Sequence, residues 1–509
     1  MDLSGAKVLA RAGLLTPVRP DRLLGMALAV AKWGLTPATG YAAGAARHPD
    51  RVAIVDDLGP LTFRELDQRT DRLAGELRRR GVHVGDAVGL LARNGRGFVE
   101  GLVASSKCGA DVLFLNTGSA GSQIAQVLDR EGAVALIHDE EFTDLLAAAA
   151  AGRVCVTTEQ LDSLAATSEA AAPPKTGHTT RLVILTSGTT GAPRGAARSG
   201  ASIDDVVSML SRIPLKAGEP TVIASPVFHA WGLGHLTMGM LLGSTVILQR
   251  TFDPARVLAA VEQHQATTLV VVPVMLDKLL AAEPDRFDTS SLRVIASSGS
   301  ALPGVLATRV LSAFGPTLYN LYGSTEVAYA AVATPEDLAA DPRTAGRPPH
   351  GVTLKLVDEA GQEVPAGTPG RVFVGSGLAF AGYTDGSDKV RLDGLVATGD
   401  MGVIDASGRL TVLGRDDDMV VIGGENVYPG QVEDALLSHP AVLEVAVTAL
   451  DDPAFGIRLV AHVVGEADPE ELKELVRSQL ARFAVPREFR FLPALPRNAT
   501  GKVLKRELA

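Results

Sequence analysis

The sequence predicts an α/β protein of more than one domain, on three observations. Apolar, strand-like runs alternate with amphipathic helical patterns through the first part of the chain, as in βαβ units of a helix-covered, mostly parallel sheet. From about Gly361 the pattern changes to shorter strands separated by Gly, Pro and Asp turns, and after Gly414 a compact segment of roughly 95 residues begins, the size of a small domain. A chain of 509 residues is also too long for a single hydrophobic core.

The first element, Leu23 to Ala31 (LLGMALAVA), is apolar, follows Arg11, Arg19 and Arg22, and ends in Ala-x-Ala as a secretory leader can. Nine helical residues span about 14 Å, well short of the roughly 30 Å of a bilayer core, so this is no transmembrane helix. We read residues 1–44 as an N-terminal helical extension packed on the body, with a helix touching a membrane surface as the alternative. Thr62 to Arg80 is amphipathic: Thr62 and Glu65 form a capping-box pair, and Leu66, Leu73 and Leu77 share a face. Strand-like runs follow at Val88–Leu91, Asp111–Leu115, Thr221–Ala224, Thr245–Leu248, Thr268–Val272 and Val294–Ala296. Ser163 to Gly177 (SLAATSEAAAPPKTG) reads as a flexible connection. No repeat of solenoid period is present.

Hydrophobic residues at 46% and charged residues at 21% are those of a soluble globular protein. A net charge of −10 without a basic block argues against nucleic acid as the main partner. Cys108 and Cys155 have no nearby Cys or His in the sequence and read as buried thiols in a reducing compartment.

The most informative stretch is Leu185-Thr186-Ser187-Gly188-Thr189-Thr190-Gly191-Ala192-Pro193-Arg194-Gly195, which follows the apolar run Leu182 to Leu185. Glycines let backbone N–H groups converge on one point, and hydroxyls with one cation at that point suit a polyphosphate. The spacing fits neither the Walker A loop nor G-x-G-x-x-G. Four further stretches carry polar residues in motif-like settings: Ser298-Gly299-Ser300-Ala301-Leu302-Pro303, Leu321-Tyr322-Gly323-Ser324-Thr325-Glu326, Thr398-Gly399-Asp400 with Gly414-Arg415, and Pro496-Arg497-Asn498-Ala499-Thr500-Gly501-Lys502. Taken singly, each also reads as an ordinary turn or a solvated charge.

Together and in this order they resemble the adenylate-forming superfamily of acyl-CoA synthetases, luciferases and peptide-synthetase adenylation domains. Arg194 departs from the lysine usual in the signature loop; it keeps the charge and alters the geometry of phosphate contact. The resemblance runs from about residue 45 to the C-terminus. It implies a large N-terminal domain of helix-covered mixed sheets plus a β-barrel-like subdomain, residues 45–414, and a small, mobile α+β C-terminal domain, residues 415–509. It implies ATP-dependent activation of a carboxylic acid through an acyl-adenylate, then thioester formation with coenzyme A. Ser187, Gly188, Thr189, Thr190, Gly191 and Arg194 are then phosphate-loop residues, with Thr186 a catalytic candidate beside them. Gly299 and Ser300 belong to the adenine loop, Tyr322 and Gly323 to the adenine-stacking motif, and Thr325 contacts the α-phosphate. Glu326 is catalytic and the Mg²⁺ ligand, Asp400 accepts from the ribose hydroxyls, and Arg415 contacts ribose and phosphate, with Asp417 at the hinge. Gly423 and Gly424 line the pantetheine tunnel, and Lys502 bridges carboxylate and α-phosphate.

His229, in Ser225-Pro226-Val227-Phe228-His229-Ala230-Trp231, stands where amino-acid-activating domains carry an aspartate, so an α-amino acid substrate is not expected; it resembles the histidine of fatty-acyl and aryl-acid CoA ligases and is a catalytic candidate. Within the superfamily, LYGSTEVA and GLAFAGYTDG look most like bacterial medium- and long-chain fatty acyl-CoA synthetases. The expected substrate is therefore a fatty acid, with an aryl-acid CoA ligase or an acyl-AMP ligase loading a carrier protein as alternatives. No carrier-protein domain is expected after Lys502, so coenzyme A is the expected acceptor. The expected location is the cytoplasm, with membrane association following the alternative for the N-terminal helix. Nothing in the sequence indicates oligomeric state.

Overall fold

The computed structural model describes residues 3–167, 180–186, 194–198, 202–380, 382–384, 386–422, 425–452, 456–498 and 501–508. Two sheets form the body of the large domain. One has six strands, in the order Val154–Thr157, Ala133–His138, Ala87–Leu91, Asp111–Phe114, Leu182–Thr186 and Arg194–Arg198. Its pairings are parallel except the last, where Leu182–Thr186 and Arg194–Arg198 run antiparallel. The other has eight strands: Ala331–Ala333, Leu318–Tyr322, Val294–Ser297, Thr268–Val271, Thr221–Ile223, Val246–Leu248, Val52–Asp56 and Gly59–Thr62. It is parallel inside and antiparallel at both edges.

The central strands are apolar throughout because both faces are covered. Val88, Leu90 and Leu91 are wholly buried, as are Leu269, Val270 and Val271, and burying each such side chain contributes about 1.5–3 kcal/mol. The helix expected at Thr62–Arg80 spans Phe63–Arg79, entered through a complete Thr62/Glu65 capping box, with Leu66, Leu73 and Leu77 in the core. The expected connection from Ser163 begins later than its composition suggests. Helix Thr158–Thr167 takes in Ser163 to Thr167, because Leu161 and Ala165, one turn apart, both pack into the core. Residues 168–177 lie outside the described residues. Cys108 is buried and Cys155 only partly so, and both are free thiols.

A five-stranded antiparallel sheet, Thr353–Val357, Gly370–Gly375, Leu395–Ile404, Arg391–Leu392 and Leu410–Arg415, stands where the barrel-like subdomain is expected. It begins before Gly361, because Thr353–Val357 is its first strand. The small C-terminal domain packs helices Pro429–Leu437 and Pro469–Gln479 on the sheet Val442–Asp452, Gly456–Gly465 and Glu488–Phe491.

Three helices open the chain: α1 (Leu3–Arg11), α2 (Pro20–Trp33) and α3 (Pro37–Arg47). Helix α2 contains the apolar run expected to be helical and packs on α3, but its leucines point away from the body: Leu23, Leu24 and Leu28 are all more than half exposed. Its inward residues are instead Gly25, Ala29 and Trp33. Among the described residues no helix is long and apolar enough to cross a membrane.

Candidate active site

Neighbouring parallel strands of the eight-stranded sheet deliver the predicted residues to one edge, their C-terminal ends, where open α/β sheets bind ligands. After Thr221–Ile223 the turn Ser225–Val227 leads to His229, and after Thr268–Val271 comes Val272-Pro273-Val274. After Val294–Ser297 comes the Ser298–Ser300 loop, and Leu318–Tyr322 ends on Tyr322 itself.

Tyr322 and Asp400 come from different sheets and meet directly. The Tyr322 hydroxyl donates to Asp400 Oδ2 at 2.5 Å and lies 3.1 Å from Thr398 Oγ1. Burial and the neighbouring carboxylate push the Tyr322 phenol well above its ordinary range. Burial also raises the Asp400 carboxyl, against the opposing pull of Tyr322 and Arg415. Asp400 and Arg415 are register partners on adjacent strands. The Arg415 guanidinium donates to Asp417 at 2.9 Å and to the Thr398 carbonyl at 3.3 Å, with Asp400 Oδ1 at 3.7 Å.

The segment after Tyr322 folds back tightly. A Cβ on Gly323 would stand 2.2 Å from the Ala328 carbonyl oxygen, so only glycine fits there. Ser324 Oγ accepts from the Glu326 and Val327 N–H groups, closing the turn that holds Thr325 and Glu326. Burial pushes the Glu326 carboxyl up, but hydrogen bonds from Tyr383 and Ser324 outweigh it and hold the group below the usual carboxylate range. The Tyr383 hydroxyl donates to Glu326 Oε1 at 2.5 Å, and the Arg194 guanidinium lies 5.6 Å from the centre of the same Tyr383 ring, within cation–π reach. Tyr383 therefore joins the signature hairpin to the Glu326 turn. Sequence reasoning assigned it no role, although it lies in the quoted GLAFAGYTDG segment.

Thr186 and Arg194 face each other in register at the end of the antiparallel pair. The loop between them, with Ser187, Gly188, Thr189, Thr190 and Gly191, lies outside the described residues, as do Gly423 and Gly424. The hairpin leans on residues 383–384: the Thr384 N–H donates to the Gly195 carbonyl at 2.8 Å.

His229 is the N-cap of helix Ala230–Leu242 and is partly buried, with its Nε2 shielded from solvent and without a hydrogen-bond partner. Burial lowers its pKa to about 4, so the imidazole is neutral near pH 7. His235, one and a half turns into the helix, is likewise lowered to about 4, and its ring lies 4.2 Å from that of Trp231. The Trp231 Nε1–H donates to the Val271 carbonyl at 3.0 Å. The turn before His229 is pinned by Asn94, another residue sequence reasoning missed. Its amide nitrogen donates to the Ile223 and Ser225 carbonyls, and its oxygen accepts from the Val227 N–H. An isolated Asn in a loop carries no signal from which that role could be read.

Lys502 reaches the same edge from the small domain. The Arg497 guanidinium caps the Gly501 carbonyl at 2.6 Å, and the Lys502 N–H donates to Asn498 Oδ1 at 3.0 Å. Gly501, at φ +83°, lies so close to Val274 that a Cβ would stand 2.5 Å from its Cγ1. Gly299, at φ +94°, abuts Val272 in the same turn, and Ser298 Oγ donates to the Leu321 carbonyl at 2.9 Å. The loop that carries Lys502 and the loop of Gly299 and Ser300 thus share one support, while the Lys502 side chain itself is exposed.

The fold thus brings a large α/β domain and a small C-terminal domain together at one sheet edge, with the Lys502 loop packed on the Val272–Val274 turn. The profile described as AMP-binding enzyme matches residues 41–384, and that described as AMP-binding enzyme C-terminal domain matches residues 431–502; the chain belongs to this family. It is 35% identical over 473 residues to the feruloyl-CoA synthase of Amycolatopsis sp, covering 90% of this chain and 96% of that protein. It is 30% identical over 488 residues to the fatty acid–[acyl-carrier-protein] ligase ScoC of Streptomyces coeruleorubidus, covering 91% and 94%. Among solved structures, the o-succinylbenzoate CoA synthetase MenE of Bacillus subtilis, in complex with its acyl-adenylate intermediate, superposes with a TM-score of 0.84 at 28% identity over 92% of this chain and 97% of that one.

Proposed function

We propose that this protein activates an aromatic carboxylic acid with ATP as the acyl-adenylate and transfers the acyl group to coenzyme A. The observation that carries the chemistry is the meeting at one sheet edge of the Tyr322–Asp400–Arg415 cluster, the Glu326 turn and the loop of Lys502. Asp400 has the acceptor capacity to hold ribose hydroxyls, and Arg194 and Arg415 supply cations for the phosphates. Lys502, carried to the edge by the Gly501–Val274 contact, is suited to draw the two anions together. Its charge is then in place before charge builds in the transition state.

Glu326 fits Mg²⁺: it is a carboxylate, a hard oxygen ligand, held below its usual range by the Tyr383 and Ser324 hydrogen bonds. Mg²⁺ completes such sites with substrate phosphates and, when bound, neutralises triphosphate charge.

The acid preference rests on two ring pairs at the start of helix Ala230–Leu242, Phe228 with His229 and Trp231 with His235. Neutral, desolvated imidazoles beside an indole suit a flat ring better than a flexible chain. The 35% identity to a feruloyl-CoA synthase favours the same reading. It displaces the fatty acid as the first expectation. A fatty acid remains the second reading, favoured by the similarity to ScoC.

The test is pyrophosphate release with ATP and Mg²⁺ over hydroxycinnamates, benzoates and fatty acids, each with and without coenzyme A. The expected result is CoA-stimulated turnover confined to aryl acids. A preference for aliphatic acids would replace the first reading with the second, and turnover indifferent to coenzyme A would point to a carrier-protein thiol.

A further inference from the structure

Helix α2 is inverted for a helix at a protein surface. Its inner face is small: Gly25 lies so close to α3 that a Cβ would stand 2.9 Å from Ala46 Cβ, Ala29 is buried, and Trp33 closes the end. Its outer face carries Leu23, Leu24, Leu28 and Val30, at 56, 61, 60 and 44% exposure, with exposed Ala27 and Ala31 between them. At helical spacing these six positions form one continuous stripe. Scattered exposed leucines need no explanation, but a continuous apolar stripe marks a contact surface.

Charge indicates what covers it. Residues 1–47 carry Lys7, Arg11, Arg19, Arg22, Lys32 and Arg47 against only Asp2 and Asp21, on a chain whose net charge is −10. Arg19 and Lys32, which flank the stripe, are both exposed. α2 also ends before residue 41, where the match to the family profile begins.

We propose that α2 docks this protein on an anionic lipid surface, its leucine face entering the boundary between headgroups and acyl chains and its basic flanks meeting lipid phosphates. A second copy of the chain is the poorer occupant. A stable protein interface takes roughly 20–30 residues a side, whereas an interfacial helix needs only its own apolar face and basic flanks.

The test is co-sedimentation of the full-length protein with vesicles of phosphatidylcholine alone and of phosphatidylcholine mixed with phosphatidylglycerol. Wild type should pellet with the mixed vesicles and much less with the neutral ones, with binding that weakens as salt is raised. The double variant Leu24→Asn, Leu28→Asn should lose about tenfold or more of the bound fraction while keeping its thermal midpoint and its ATP-dependent turnover. An R19Q, K32Q variant should lose the preference for the anionic vesicles. Wild type remaining in the supernatant with both vesicles, equal pelleting with both, or a leucine variant that pellets like wild type would each overturn the proposal. Light scattering that finds a wild-type dimer and a monomeric leucine variant would also overturn it, by assigning the face to self-association.

Discussion

At the residue scale, the Tyr383 hydroxyl is the largest of the contacts that keep Glu326 ionised, ahead of Ser324. The Tyr383 O–H favours the carboxylate form, and burial works against it. Tyr383→Phe therefore raises the Glu326 pKa. If ionised Glu326 is needed for metal-bound ATP, the acidic limb of the pH–rate profile moves to higher pH while the alkaline limb stays in place; an unmoved acidic limb would remove Glu326 from that role. Arg194 belongs to the same small system, since it lies over the Tyr383 ring. Here the sequence was partly legible. Tyr322, Glu326, Asp400 and Arg415 stand in motifs whose order alone singles them out. Tyr383 and Asn94 act through contacts far apart in the chain, Asn94 on residues 129 to 133 positions away, and local pattern cannot show that.

At the scale of elements, the turn Ser225–Val227 holds its shape through the three hydrogen bonds of Asn94. Asn94→Ala leaves buried backbone groups unpaired, so thermal unfolding should show a loss of about 1–3 kcal/mol, with weaker acid binding because His229 loses its support. Unchanged stability would mean that the turn is held elsewhere. Strands such as Val88–Leu91 were legible because a strand covered on both faces must be apolar along its whole length. Helix Thr158–Thr167 was hidden by Ala and Ser composition, although Leu161 and Ala165 anchor it. Helix α2 was legible as a helix but not in its orientation. Hydrophobic pattern assigns leucines to the inside, and here close packing on α3 selects Gly25 and Ala29 instead.

At the scale of the whole molecule, two predictions depend on the domains together. Lys502 comes from the small domain and is supported by the large one, so Lys502→Ala should cost about 10²–10³-fold in adenylate formation while sparing thioester formation from supplied acyl-adenylate. Gly424→Val should do the reverse if residues 423–424 line the thiol path. Equal loss of both steps in both variants would sink the two-state assignment. Stability should also follow pH through the desolvated imidazoles. His229 and His235 have pKa values lowered to about 4 from the ordinary 6.5, so the unfolded chain binds more protons between those values. Their contribution is complete above pH 6.5 and declines as pH falls toward about 4. Urea midpoints should drop between pH 7.5 and 5, and His235→Leu should reduce the drop; an identical drop in that variant would remove His235 as a cause.

The clamp on Trp231 has a practical consequence. The chain has two tryptophans, and Trp33 lies at the end of α2, among the opening helices. Trp33→Phe leaves one indole, fixed by its bond to the Val271 carbonyl and edge-on to His235 at the ring cluster. Such a variant carries its own optical probe. Its emission should change as an aromatic acid enters, which gives substrate affinity by titration without added label and before any turnover begins.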